Sequence, residues 1–167
     1  MKLCKGLIVM IMSVAHAGTF GQDHVLGFTG VWKLDLHLSK LETKHPPSTS
    51  TAKIRYDGKV WHFSRTHHFP DGQVDTWSTT MIVDSKKPRI QRFSPITSTS
   101  RITRDGNALF LNEELRADSG EHGTNTVRYT LSDNGQLLTE DEHEVSPDSN
   151  EHNIWVLKRV PTKPQSD

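Results

Sequence analysis

Cysteine is all but missing from this chain. The one residue, Cys4, lies in the N-terminal apolar stretch, too early to serve as a lipid attachment site after it. Beyond residue 17 there is no thiol, which excludes disulfides, thiolate metal sites and a cysteine nucleophile. Long apolar runs are missing too. The run from Gly6 to Val14 is well short of the ~18 residues needed to span a bilayer, and no second one follows it. Excess positive charge is absent: Lys plus Arg number 20, as do Asp plus Glu. A nucleic-acid binder needs a basic face to release counterions from phosphates, so that class is set aside. The chain also lacks a Gly-x-Ser-x-Gly elbow, a phosphate-binding glycine loop, EF-hand spacing and any apolar stripe of period 3.6 with helical length.

What is present begins with a three-part leader. Lys2 and Lys5 give a positive start, Gly6 to Val14 an apolar core, and Ala15-His16-Ala17 small residues where a signal peptidase reads. Residues 1–17 are expected to be a cleaved signal peptide, which sends the protein to a periplasm or outside the cell. Removing Lys2 and Lys5 leaves 18 basic residues against 20 acidic, a net charge of −2. The remaining chain is read as a short linker over 18–27, one domain over 28–160 and a polar tail over 161–167. About 150 residues suffices for a single core.

From Phe28 onward, turn chemistry recurs at short intervals: Asp57-Gly58, Pro70-Asp71-Gly72, Asp105-Gly106-Asn107 and Asp133-Asn134-Gly135. Asp-Gly and Asn-Gly supply the backbone that tight hairpins require. Between these turns lie segments of roughly 7–10 residues rich in Val, Ile, Thr, Trp and Tyr, the spacing of an all-β meander. Helix is expected for at most a turn or two, near Ser39 to Leu41 or before Gly30. The expected fold is therefore all-β, an antiparallel up-and-down meander of about 8–10 strands. So many strands in a small sheet favour closure into a barrel, which removes the edges, over an open sheet. A two-sheet sandwich is the competing arrangement.

Gly30-Val31-Trp32, opening the first strand, resembles the Gly-x-Trp of lipocalins and related calycins. More specifically, Gly30-Val31-Trp32-Lys33-Leu34-Asp35 with Ser39-Lys40, and later Ser132 to Thr139, resemble small exported lipocalin-like proteins of soil bacteria. The Thr-Asp-x-Tyr signature of true lipocalins is missing, and the stretch from Pro88 to Gly123 matches poorly. The resemblance implies a barrel with a cavity open at one end, Gly30 and Trp32 at its floor, and a cation from the last strand over the Trp32 ring. Lys158 and Arg159 both qualify, because that strand is apolar on both faces.

Alternation assigns the walls. Trp61 and Phe63 share a face with Arg65 and His67; Trp77 goes with Met81 and Val83; Val127 with Tyr129 and Leu131. Leu109, Leu111 and Leu115 carry Glu113 with them, and taking Leu137 and Val145 as inward carries Asp141 and His143. Trp61, Phe63, Arg65, Trp77 and Tyr129 are the candidate ligand-binding set: aromatic walls for an apolar body, and an arginine for a ligand carboxylate. A single β-bulge would flip the parity and put these charges in water. The basic block Lys86 to Arg104 and the acidic block Asp133 to Glu151 are read as solvated surface. The scattered histidines, including His67-His68 and His143, lack the converging ligands of a zinc site. Neither metal nor cofactor is expected.

The leading functional reading is thus an exported lipocalin-like protein that binds a small amphipathic or hydrophobic molecule without catalysis. A barrel enzyme would instead need His67 or His143 within hydrogen-bond reach of an inward carboxylate. An envelope interaction domain would have a filled barrel.

Overall fold

The computed structural model describes residues 27–161. The leader, nearly all of the linker, and the tail beyond Pro161 lie outside the described residues. Ten strands follow one another: β1 (Gly30–Leu34), β2 (Thr49–Tyr56), β3 (Val60–His68), β4 (Val74–Ile82), β5 (Arg89–Phe93), β6 (Ile96–Asp105), β7 (Ala108–Ala117), β8 (His122–Leu131), β9 (Leu137–Ser146) and β10 (Ser149–Arg159). Each is antiparallel to its sequence neighbour except across the step from β4 to β5, and β1 also pairs with β10. The order β4-β3-β2-β1-β10-β9-β8-β7-β6-β5 curls into a nearly closed barrel whose one seam lies between β4 and β5. No α-helix occurs among the described residues, and none of their elements is a helix able to cross a membrane.

The turns form for local reasons. Asp57 Oδ1 accepts from the backbone N–H of Lys59 at 2.9 Å and Val60 at 2.7 Å, and Asn134 Oδ1 accepts from Gln136 N–H at 3.1 Å. These side chains mimic a backbone turn, which is why Asp and Asn stand there. The connection near Ser39 makes a single turn, with Ser39 N–H donating to Asp35 C=O at 3.2 Å, and it is pinned in place. Asp35 Oδ1 accepts from His37 N–H, Ser39 Oγ accepts from Val156 N–H at 2.9 Å, and Lys40 exchanges backbone bonds with Ile154. The Ser39-Lys40 pair thereby fastens the start of the β1–β2 connection to β10.

One end of the barrel is packed shut. Trp32 is 0% exposed and donates its indole N–H to Phe28 C=O at 2.9 Å. Trp61 sits at the centre of an aromatic group, with ring centroids 5.7 Å from Phe28, 5.8 Å from Tyr56 and 5.3 Å from Tyr129. Leu109, Leu138 and Leu157 complete this floor, all fully buried. Arg159 lies over the Trp32 ring, its guanidinium carbon 4.1 Å from the centroid. It is anchored by donating to Gly135 C=O and Thr29 C=O, each at 2.8 Å, and to Gly27 C=O. A Cβ on Gly30 would lie 2.6 Å from Arg159 Nη1, so the glycine keeps room for this cation. Lys158 points to the outer face and pairs with Asp35.

The register along β3 runs unbroken against both β2 and β4, so no bulge intervenes and Trp61, Phe63, Arg65 and His67 share the inner face. On β9 the parity is the reverse of the expectation. Leu138, Glu140 and Glu142 face inward, opposite Leu157, Trp155 and Asn153 of β10. Asp141 and His143 therefore stand on the outer face, where Asp141 meets His152 at 2.8 Å. The acidic block is not simply solvated surface: Glu140 is 2% exposed. Leu36, which the alternation Trp32, Leu34, Leu36 would place on the inner face, lies beyond β1 and is exposed.

Candidate functional site

Above the floor the barrel encloses a cavity of about 440 Å³. This falls within the ~300–1,000 Å³ range of small-molecule sites. Its walls come from β3 to β9, and it reaches the seam, where Trp77 on β4 faces Gln91 and Phe93 on β5. Of the candidate set, Phe63, Arg65, Trp77 and Tyr129 line this cavity together, and Trp61 lies just beneath, in the floor group. Trp77 is 40% exposed and packs on Phe63 with centroids 5.0 Å apart, so the apolar wall continues outward through the seam.

Arg65 is 5% exposed and donates to Glu140 Oε1 at 2.5 Å. Burial opposes the charge on Arg65, but the Glu140 carboxylate more than restores it, and the guanidinium holds its proton more firmly than usual. Burial likewise pushes the Glu140 carboxyl up, against the pull of Arg65. The guanidinium lies 5.2 Å from the Phe63 ring centroid and 5.5 Å from that of Trp155, a cation held between aromatic faces. Its Nε–H has no acceptor. The arginine expected to meet a ligand carboxylate is already paired within the protein.

Glu142 is the second inward carboxylate. It accepts from Trp155 Nε1–H at 2.7 Å, from Asn125 Nδ2 at 3.3 Å and from Asn153 Nδ2 at 3.5 Å. Glu113, on β7, accepts from the Ser98 hydroxyl. Sequence reasoning placed Glu113 inward and missed Glu140 and Glu142. The available signal was the last strand: Trp155 and Leu157 as inward partners oppose Glu140 and Leu138, not Asp141 and Leu137.

His67 packs against Phe69 and Trp155, with centroids 5.9 and 5.7 Å away, and its Nδ1 is buried without a partner. Burial first, then the neighbouring Arg65 charge, push its pKa down to about 4, while Asp75 pulls the other way. No group of three or more His, Asp or Glu side chains able to hold a metal ion occurs among the described residues. Buried polar atoms without partners gather at the cavity: Arg65 Nε, Thr79 Oγ1 and Asn125 Oδ1 all belong to residues that line it.

No family model matches the chain, and no curated protein matches it. Solved structures do. A secretory abundant heat soluble protein from Ramazzottius varieornatus superposes with a TM-score of 0.54 at 13% identity, covering 80% of this chain and 96% of that one. Secretory abundant heat soluble protein 4 of the same organism gives 0.50 at 15% identity, covering 81% and 96%. The wild-type fluorescent protein UnaG gives 0.51 at 14% identity, covering 80% and 97%. At such low identity these likenesses speak for the fold alone, an antiparallel meander of ten strands curled into a nearly closed β-barrel.

Proposed function

We propose that this protein is an exported carrier that holds a small amphipathic molecule in its barrel without transforming it. The observation that carries the reading is the cavity of about 440 Å³, walled by Phe63, Trp77 and Tyr129 and containing oriented charges and unpartnered polar atoms. Apolar walls take up a hydrophobic body, and a few fixed polar groups orient it. A filled barrel acting only through its outer surface would need no such space. Acid–base chemistry would need a histidine near an inward carboxylate. His67 makes no such hydrogen bond, and the one His–carboxylate pair among the described residues, His152–Asp141, is on the outer face. Export rests on the leader, Lys2 to Ala17.

Native mass spectrometry of protein secreted by its own host and purified gently tests the carrier reading. Extra mass that leaves on unfolding is the expected result and identifies the occupant. A bare mass, together with no tryptophan-fluorescence response to a panel of amphiphiles, would sink it. N-terminal sequencing of the same material should begin near Gly18; a retained Met1 would remove the export reading.

A further inference from the structure

Building on the carrier reading, we propose that the cavity selects a protonated organic amine that also bears a hydrogen-bond acceptor, and disfavours a carboxylate. The charges lining the cavity are Arg65 and Arg89 against Glu113, Glu140 and Glu142. Arg65 and Glu140 neutralise one another at 2.5 Å. Glu113 and Glu142 are held by neutral donors: a serine hydroxyl for one, an indole and two amides for the other. Such donors fix the carboxylate oxygens in place and leave the charge unbalanced, and an enclosed charge without a counter-charge is costly.

The excess grows toward the mouth. Glu144 follows Glu142 along β9 and stands opposite Glu151 of β10. Its carboxyl is raised by desolvation and then by Glu142, Glu151 and Glu113, three acids within electrostatic reach of Glu144. They do not converge as metal ligands do, so a compact metal ion is a poor counter-charge, and an extended organic cation a good one.

Two further observations concern the ligand itself. Asn125 Oδ1, on β8 opposite Glu113, is buried without a donor and suits an ammonium N–H. Arg65 Nε–H, in a side chain more than nine-tenths buried, lacks an acceptor and suits a hydroxyl or carbonyl oxygen on the same ligand. The walls already accept a cation, since the Arg65 guanidinium lies between Phe63 and Trp155. Trp77, stacked on Phe63 at the seam, offers another aromatic face for one. Arg89 makes no ion pair among the described residues and is the one group that would favour a carboxylate ligand, so the two signs compete directly.

Isothermal titration of the protein at pH 7 with octylammonium, octanoate and octanol, each below its micelle concentration, decides between them. Octylammonium should bind tighter than either of the others by about tenfold or more, the scale of one charge-assisted hydrogen bond. That preference for octylammonium over octanol should vanish in the folded double variant E113Q/E142Q. If the double variant does not fold, E113Q alone, which removes the acid held by one hydroxyl, should reduce the preference severalfold. Octanoate binding as tightly as octylammonium overturns the inference and leaves the carrier reading standing. A preference that survives in the folded variants overturns it too, placing the selectivity on surface acids. If none of the three ligands binds, the carrier reading falls as well.

Discussion

On β3, Trp61 and Phe63 point into the barrel, and two and four residues further on the same strand points Arg65 and His67 into it. Trp61 belongs to an apolar floor sealed by Trp32, Leu109, Leu138 and Leu157; Phe63 begins the wall of a chamber that holds the Arg65 ion pair and unpartnered polar atoms, and His67 packs beyond it against Phe69 and Trp155. Backbone, alternation and pairing are the same in both halves, so the difference lies in the side chains alone. The floor is built as a stable core is built, with large apolar groups in contact. The chamber gives up that burial for charge and space, a sacrifice expected of a binding site.

The comparison breaks most sharply if the floor is emptied. Trp32→Ala should cost about 3–5 kcal/mol, read as a large fall in the urea midpoint, because the ring is fully buried and its N–H is bonded. A loss below ~1 kcal/mol would mean the floor does not carry the stability assigned to it. In the chamber, Arg65→Met should cost a similar ~3–5 kcal/mol, since it strands the buried Glu140. Here the double variant Arg65→Met/Glu140→Leu should recover most of the loss, because removing both charges removes the penalty. No substitution of this kind should rescue Trp32→Ala.

Smaller effects sharpen the contrast. Arg159→Met should cost about 1–2 kcal/mol for the contact with Trp32 and the anchoring bonds to carbonyls. Lys158→Met should change stability by less than ~0.5 kcal/mol, as its pair with Asp35 lies at the surface. Equal losses from the two would remove the assignment of Arg159 to the floor.

A last contrast lies in pH dependence. Folding keeps His67 neutral, with its pKa at about 4 against 6.5 for an ordinary histidine. As pH falls below 6.5 the unfolded chain takes up this proton first, so stability is lost progressively between about 6.5 and 4. The raised carboxyls of Glu140 and Glu144 act in the opposite sense, because the folded state protonates them first. They are common to wild type and His67→Gln, so the difference between the two isolates His67. The variant's urea midpoint should fall less between pH 6.5 and 4. Parallel curves would show that His67 is solvated.

Much of the fold is legible because its signals are local. Asp57, Asp71 and Asn134 close turns with their own side chains, and period-two runs such as Trp61 to His67 declare a strand with an inner face. The chamber was legible where alternation was unambiguous, as in Phe63, Arg65 and Tyr129. It was illegible on β9, where Leu137 and Leu138 are adjacent and either could have led the inner face.

About eight to ten alternating strands, the main turns between them and the residues able to build an aromatic floor could be read from the sequence without any structure. Those properties depend on neighbours a few residues apart. Tertiary structure alone decided that Glu140 and not Asp141 meets Arg65, across 75 residues of chain. It also decided that Arg159 and not Lys158 covers Trp32. A one-residue step in strand pairing exchanges inside for outside, and only the partner strand sets that step.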